Sequence, residues 1–290
     1  MKLHKIAMIM ACMVSTPALA WSNGDFNGSV DIGGSVTPEQ YSQLWQWKVG
    51  TGLNNFNNDA EQMSANFTKL TVRVTEAQPI LIGNTKSPVV AYNGAVGITP
   101  KISFSDFENN KVDLKQESSS PGGVGFFNLP VKNSDNNDKI GTVKVNATAV
   151  GIGLHSENYG SFGLIYAVRS ITATSNEHLF YGAVFERSMS NGYSNGDAFA
   201  SRLNNVNKQE LKRVLFTHPS VTAGGTWLSD NASPFSLSKN GAGANAIDGV
   251  ITASYSLGID AGQSLEFEFY NPITSTTKWS APLNIAVTYN

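Results

Sequence analysis

The chain has almost no cysteine. Its one thiol, Cys12, lies near the start of 290 residues. That excludes a disulfide framework, a Cys-based metal site and a thiolate nucleophile in the rest of the chain. Charge is also scarce: Asp, Glu, Lys and Arg supply 14% of residues, where about a quarter is usual. No Lys/Arg-rich patch of the kind nucleic acid requires is present. After residue 20 no apolar run approaches the ~18 residues of a membrane-spanning helix. The three histidines beyond the first four residues, His155, His178 and His218, have no metal-ligand spacing and read as surface or loop residues. No cofactor is expected.

The first twenty residues read as a leader. Lys2 and Lys5 precede the apolar run Ile6 to Val14, and Ala18-Leu19-Ala20 forms a small-x-small cleavage site. Cleavage before Trp21 removes both lysines and Cys12, and shifts the formal charge from −2 to −4. An exported chain without cysteine reaches an oxidising space and does not use disulfides there.

What remains is patterned for strands. In Gly24 to Thr37, Phe26, Val30, Ile32 and Val36 share one parity with Gly28 and Gly34, while polar residues and Gly33 hold the other. This reads as a two-faced strand. Alternation recurs in Trp45 to Val49, Leu70 to Val74, Val143 to Ala147 and Leu265 to Phe269, with further strands around Ile80, Phe104, Val112, Phe127 and Tyr255. Turn-forming clusters separate them: Asn54 to Asp59, Ser118 to Gly123, Asn133 to Asp138. Many short strands with such punctuation predict an antiparallel sandwich. The chain closes on another alternating strand, with Leu283, Ile285, Val287 and Tyr289 on one face.

Residues from about 151 to 249 break the pattern and read as a partly helical insertion. Asn207 to Glu210 starts a helical run through Leu211, Val214 and Leu215, ended by Pro219. Asp197 is expected to cap a second short helix running to Leu203. Two catalytic patterns occur here. Gly192-Tyr193-Ser194-Asn195-Gly196 fits a nucleophile elbow by letter, and Gly241-Ala242-Gly243 with Ala246 is half a dinucleotide fingerprint. Neither has the strand–turn–helix context its chemistry needs, so both read as loops. A serine hydrolase using Ser194 is retained only as an alternative of another class, beside a monomeric secreted binding module.

Strong strands at both ends suggest strand addition between molecules. A sandwich lacking an edge strand exposes unpaired backbone and an open core. A segment from a second subunit can fill both deficits. Burying Phe26, Val30, Ile32 and Val36 would contribute roughly 1.5–3 kcal/mol each as an upper bound. Head-to-tail addition does not close on itself and generates a filament.

GDFNGSVDIGGS, the block Trp45-Gln46-Trp47-Lys48-Val49-Gly50-Thr51-Gly52-Leu53 and the ending Trp279 to Tyr289 closely resemble the FaeG family of enterobacterial fimbrial subunits. Residues 139–147 and 178–184 are similar more loosely. The resemblance implies an all-β, incomplete immunoglobulin-like sandwich completed by a donor strand from the next subunit. It divides the chain into a signal peptide (1–20), a donor extension (21–37) and a pilin domain (38–290) carrying the insertion. By this likeness Phe26, Val30, Ile32 and Val36 are donor residues, and Leu283, Ile285, Val287 and Tyr289 form the strand that chaperone and donor pair against. The partners implied are neighbouring subunits in a homopolymer, a periplasmic chaperone, an outer-membrane usher and galactose-containing host glycoconjugates, with export through the periplasm to the cell surface. A minor subunit without lectin activity is the nearer alternative. Two departures stand out: Thr277 occupies the position where many such subunits carry glycine, and the common disulfide is absent. Sugars stack on aromatic rings and are oriented by planar polar groups, so Tyr193, Arg202 and Trp227 are the candidate glycan residues of the insertion.

Overall fold

Alternation becomes strand along most of the chain. The computed structural model describes residues 22–23, 26–30, 35–37, 44–90, 100–158, 164–176, 178–187, 193–219, 221, 226–227 and 250–289. The expected leader and Ile32 lie outside the described residues. The first strands are β1 (Ser22–Asn23), β2 (Phe26–Val30), β3 (Ser35–Thr37) and β4 (Trp45–Val49). A short 3-10 turn (Ala60–Gln62) leads to β5 (Met63–Ser64), β6 (Lys69–Arg73), β7 (Gln78–Thr85), β8 (Val89–Val90) and β9 (Pro100–Asp106). Then come β10 (Val124–Asn133), β11 (Lys139–Asn158) and β12 (Leu164–Ile171). Helices α1 (Tyr193–Arg202) and α2 (Lys208–Leu215) follow, then β13 (Thr226–Trp227), β14 (Val250–Ile259), β15 (Ser264–Phe269), β16 (Trp279–Ser280) and β17 (Leu283–Tyr289).

Two sheets result. The larger has the main path β1-β4-β7-β14-β11-β15-β6-β5, and the smaller runs β3-β2-β17-β9. The fold is all-β and immunoglobulin-like, with two α-helices among the described residues. Its longest strand, β11, pairs with β15 over Gly141–Val145 and with β14 over Thr148–Ser156. It runs unbroken through residue 151, where the sequence suggested the insertion would begin. Gly151 and Gly153 read as irregular in one dimension. In the fold, Gly151 is where a ring packs: a Cβ there would lie 2.7 Å from Phe180 Cδ2.

The segment 24–37 is not one strand. β3 folds back on β2, with Gly28 opposite Val36.

Between the sheets lies the main core. Trp45 and Trp47 stack at 5.6 Å and 16°, with Phe180 edge-on to Trp45 and Tyr255 tilted against both Trp47 and Phe180. Strands covered on one face keep a clean alternation: Leu70 and Val72 in β6, Leu265, Phe267 and Phe269 in β15, Ile102 and Phe104 in β9 are buried. β14 is buried along its whole length. Its odd residues Ile251, Ala253, Tyr255 and Leu257 enter this core.

The opposite face of the larger sheet is covered by α1 and α2. Ile82, Val150, Ile152 and Leu154 pack against Phe199, Ala200, Leu203, Leu211 and Leu215 in a second cluster. Two side chains tie that layer to the sheet. Thr252 donates to the carbonyl of Leu211 at 3.0 Å, and Asn205 Nδ2 donates to the Tyr255 carbonyl at 2.7 Å and Ser256 Oγ at 2.9 Å. An eight-residue helix is marginal alone. Docking of Leu211 and Leu215, with the Asn207 side chain accepting from the Gln209 and Glu210 amides, holds α2. Asp197 does not cap its own helix. It lies inside α1, and its Oδ1 accepts from the Lys208 amide, the first residue of α2.

Candidate functional site

The C-terminal strand β17 is the element around which the smaller sheet is built. Leu283, Ile285 and Val287 point into the core and are buried. Along one side β17 pairs with β9, from Leu283 opposite Asp106 to Tyr289 opposite Pro100. Along the other side it pairs antiparallel with β2: Leu283 with Val30, Ile285 with Gly28, Val287 with Phe26. Strand β2, near the start of the chain, and β17, near its end, therefore meet directly. Among the expected donor residues, Phe26 and Val30 sit on the strand that faces β17. Val36 lies on β3, one strand further out.

Two polar features fix this edge. Trp47, fully buried in β4, donates its indole N–H to the Tyr289 hydroxyl at 2.7 Å. That bond ties the last turn of β17 to the larger sheet. At the other end, Asp106 Oδ1 accepts from the Glu108 and Asn110 amides at 2.8 and 2.9 Å, folding the chain sharply after β9. The Asp106 carbonyl accepts from Asn284 Nδ2 at 2.9 Å, so the same turn holds the start of β17. Neither Trp47–Tyr289 nor Asp106 emerged as a pair from the sequence. Trp47 and Tyr289 were each visible as members of alternating strands, but 242 positions separate them.

The glycan candidates fall on two elements, α1 and β13. Tyr193 is the first residue of α1 and Arg202 the last, so the helix rise separates them by roughly 13 Å. Trp227 lies on β13, opposite Tyr166 of β12. Arg202 is committed elsewhere: its Nε and Nη2 donate to the two carboxylate oxygens of Asp260, just after β14. This charge-assisted bond holds the guanidinium further toward its charged form. The helical end is thereby anchored to the β14–β15 turn.

A family model described as "Fimbrial, major and minor subunit" matches residues 1–290. The chain belongs to this family. Among relatives, the fimbrial subunit is 38% identical over 296 residues to K88 fimbrial protein AB and 39% over 298 residues to K88 fimbrial protein AD, both of Escherichia coli, with full coverage of each chain. F41 fimbrial protein of Escherichia coli is 25% identical over 292 residues, covering 98% of this chain and 97% of that one.

A fimbrial subunit acts through surfaces, and it is not an enzyme. Ser194 is the second residue of α1, and Gly241 to Ala246 lie outside the described residues. Among the described residues no group of three or more His, Cys, Asp or Glu could hold a metal ion. One histidine departs from the surface-or-loop reading. His155 is buried inside β11, not on a surface, because it stands opposite Ile251 of β14 on the face of the larger sheet that meets the main core. His178 Nδ1 accepts from the Thr174 and Ser175 amides at 3.1 and 3.2 Å, closing the turn after β12.

Proposed function

We propose that this fimbrial subunit polymerises by donating its N-terminal segment, residues 21–37, to the next subunit. One observation carries the reading: β2 lies antiparallel to β17, with Phe26, Gly28 and Val30 in register with Val287, Ile285 and Leu283. Within one chain the segment pairs with its own C-terminal strand. Exchanged between chains, the same ladder joins subunit to subunit head to tail, and such addition extends without closing. A periplasmic chaperone would hold β17 before exchange, and an outer-membrane usher would be the place of exchange.

The test is the state of the protein sheared from cells. Wild type is expected as a ladder stable in mild SDS and collapsing on boiling, and Val30→Asp as monomer. A wild-type monomer, or a Val30→Asp ladder equal to wild type, would overturn the reading.

The same polymer is proposed as an adhesin for galactose-containing host glycoconjugates, carried by α1 and β13. Tyr193 and Trp227 are the stacking candidates there, and Arg202 positions the end of α1. Tyr193→Ala and Trp227→Ala fibres are expected to form normally and to lose glycan binding. Full binding by both variants would remove these residues from the site.

A further inference from the structure

The acceptor edge is built from both sheets, and the N-terminal segment touches both. β2 pairs with β17 in the smaller sheet. Only two residues earlier, β1 pairs antiparallel with β4 in the larger one, Ser22 opposite Trp47 and Asn23 opposite Gln46. β1 ends the larger sheet's main path, and among the described residues it is the only neighbour of β4 on the side away from β7. An uncovered β4 would present unpaired backbone groups, as any edge strand does.

The two acceptor strands are also tied to each other. The strand that receives Ser22 carries Trp47, and the indole of Trp47 hydrogen-bonds Tyr289 of the strand that receives Phe26 to Val30. Trp47 is held in turn by Trp45 stacked at 5.6 Å and by Tyr255 at 6.1 Å. One rigid aromatic unit therefore positions both edges, and a segment laid over the seam meets them together.

We infer that donation uses two ladders: residues 26–30 of one subunit on β17 of the next, and Ser22–Asn23 of the same donor on the acceptor's β4. The occupant is the N-terminal segment of a second copy of this chain, and the inference rests on the strand-donation reading above. Ser22 and Asn23 act as a separate anchor that seals the larger sheet. They also hold the donor at the junction where it leaves one sheet for the other. Two short ladders on one segment act together, because pairing of the first raises the effective concentration of the second.

Cross-linking in assembled fibres tests it. With the leader removed the chain is cysteine-free, so introduced pairs report alone. Directly opposed residues of antiparallel strands have Cα atoms about 4.5–5.5 Å apart, within disulfide reach. Asn23→Cys with Gln46→Cys reads the β1–β4 ladder. Asn27→Cys with Ala286→Cys, opposed across β2 and β17, reads the donor ladder. Both pairs are expected to give covalent multimers that survive boiling without reductant and collapse to monomer with it.

Multimers from the 27/286 pair but not from the 23/46 pair would overturn the second anchor and leave donation standing. If the 27/286 pair links only within single chains, or does not link, donation itself fails and the anchor falls with it. Each single-cysteine variant should give no ladder beyond dimer, which separates register-specific linking from chance collision.

Discussion

Replacing Gly83 by alanine should destabilise the subunit through one aromatic ring. Gly83 lies in β7, opposite both Trp47 of β4 and Tyr255 of β14. A Cβ built there falls 2.2 Å from Trp47 Cε3, 2.4 Å from Cζ3 and 2.7 Å from Cδ2. Trp47 has little freedom to retreat, between the Trp45 stack, Tyr255 and its bond to Tyr289. Overpacking of this kind costs about 1–3 kcal/mol, and loss of the Trp47–Tyr289 bond adds about 0.5–1.5 kcal/mol. Alanine is intrinsically better than glycine in a strand by about 0.5–1 kcal/mol, which offsets part. The net is roughly 0.5–4 kcal/mol, or a melting temperature lower by about 1–16 °C for a chain of this size. The assay is thermal unfolding followed by tryptophan fluorescence, beside Trp47→Phe and the double variant. If the indole is the obstacle, Gly83→Ala should cost much less in the Trp47→Phe background, with a coupling of about 0.5–3 kcal/mol. A Gly83→Ala protein as stable as wild type, or a penalty unchanged in the double variant, would refute the reasoning.

Asn205 is buried, with its amide bonded to strand β14 and its Oδ1 accepting from the Val206 amide at 2.8 Å. Asn205→Ala should cost about 1–3 kcal/mol by leaving buried groups unpaired, read as a lower melting temperature and faster amide exchange in α1 and α2. Asn207→Ala removes the α2 cap and should cost about 1 kcal/mol, while Asn207→Asp retains it. Tyr255 donates its hydroxyl to the Ala183 carbonyl at 2.7 Å, and burial raises its phenol well above the ordinary value. Its contribution is thus fully present below the unfolded value of about 10 and is lost as pH rises from there toward the folded value. A chemical-denaturation series from pH 8 to 11.5 should show a steeper alkaline loss for wild type than for Tyr255→Phe. Equal slopes would remove Tyr255 as the cause.

Local pattern carried much of this protein in plain sight. The alternation of Leu283, Ile285 and Val287, of Leu265 and Phe267, and of Trp45 and Trp47 identified strands and their buried faces, because side-chain direction in a strand depends only on parity. The cap at Asn207 and the helical spacing of Leu211 and Leu215 were readable for the same reason. Local pattern did not carry partnership. That β2 turns back into β3, that β11 runs on through Gly151 and Gly153, and that Asp197 serves α2 depend on what each segment packs against.

The sequence by itself determined an all-β chain of short two-faced strands, a helical interruption and apolar faces at both ends. Only the tertiary structure decided that β2 and β17 meet. It also decided that Trp47 and Tyr289 bind across the seam, and that Arg202 answers to Asp260. The physical reason is separation: the strand period is set within a few residues, whereas a contact between positions 47 and 289 exists only once both sheets have closed around a common core.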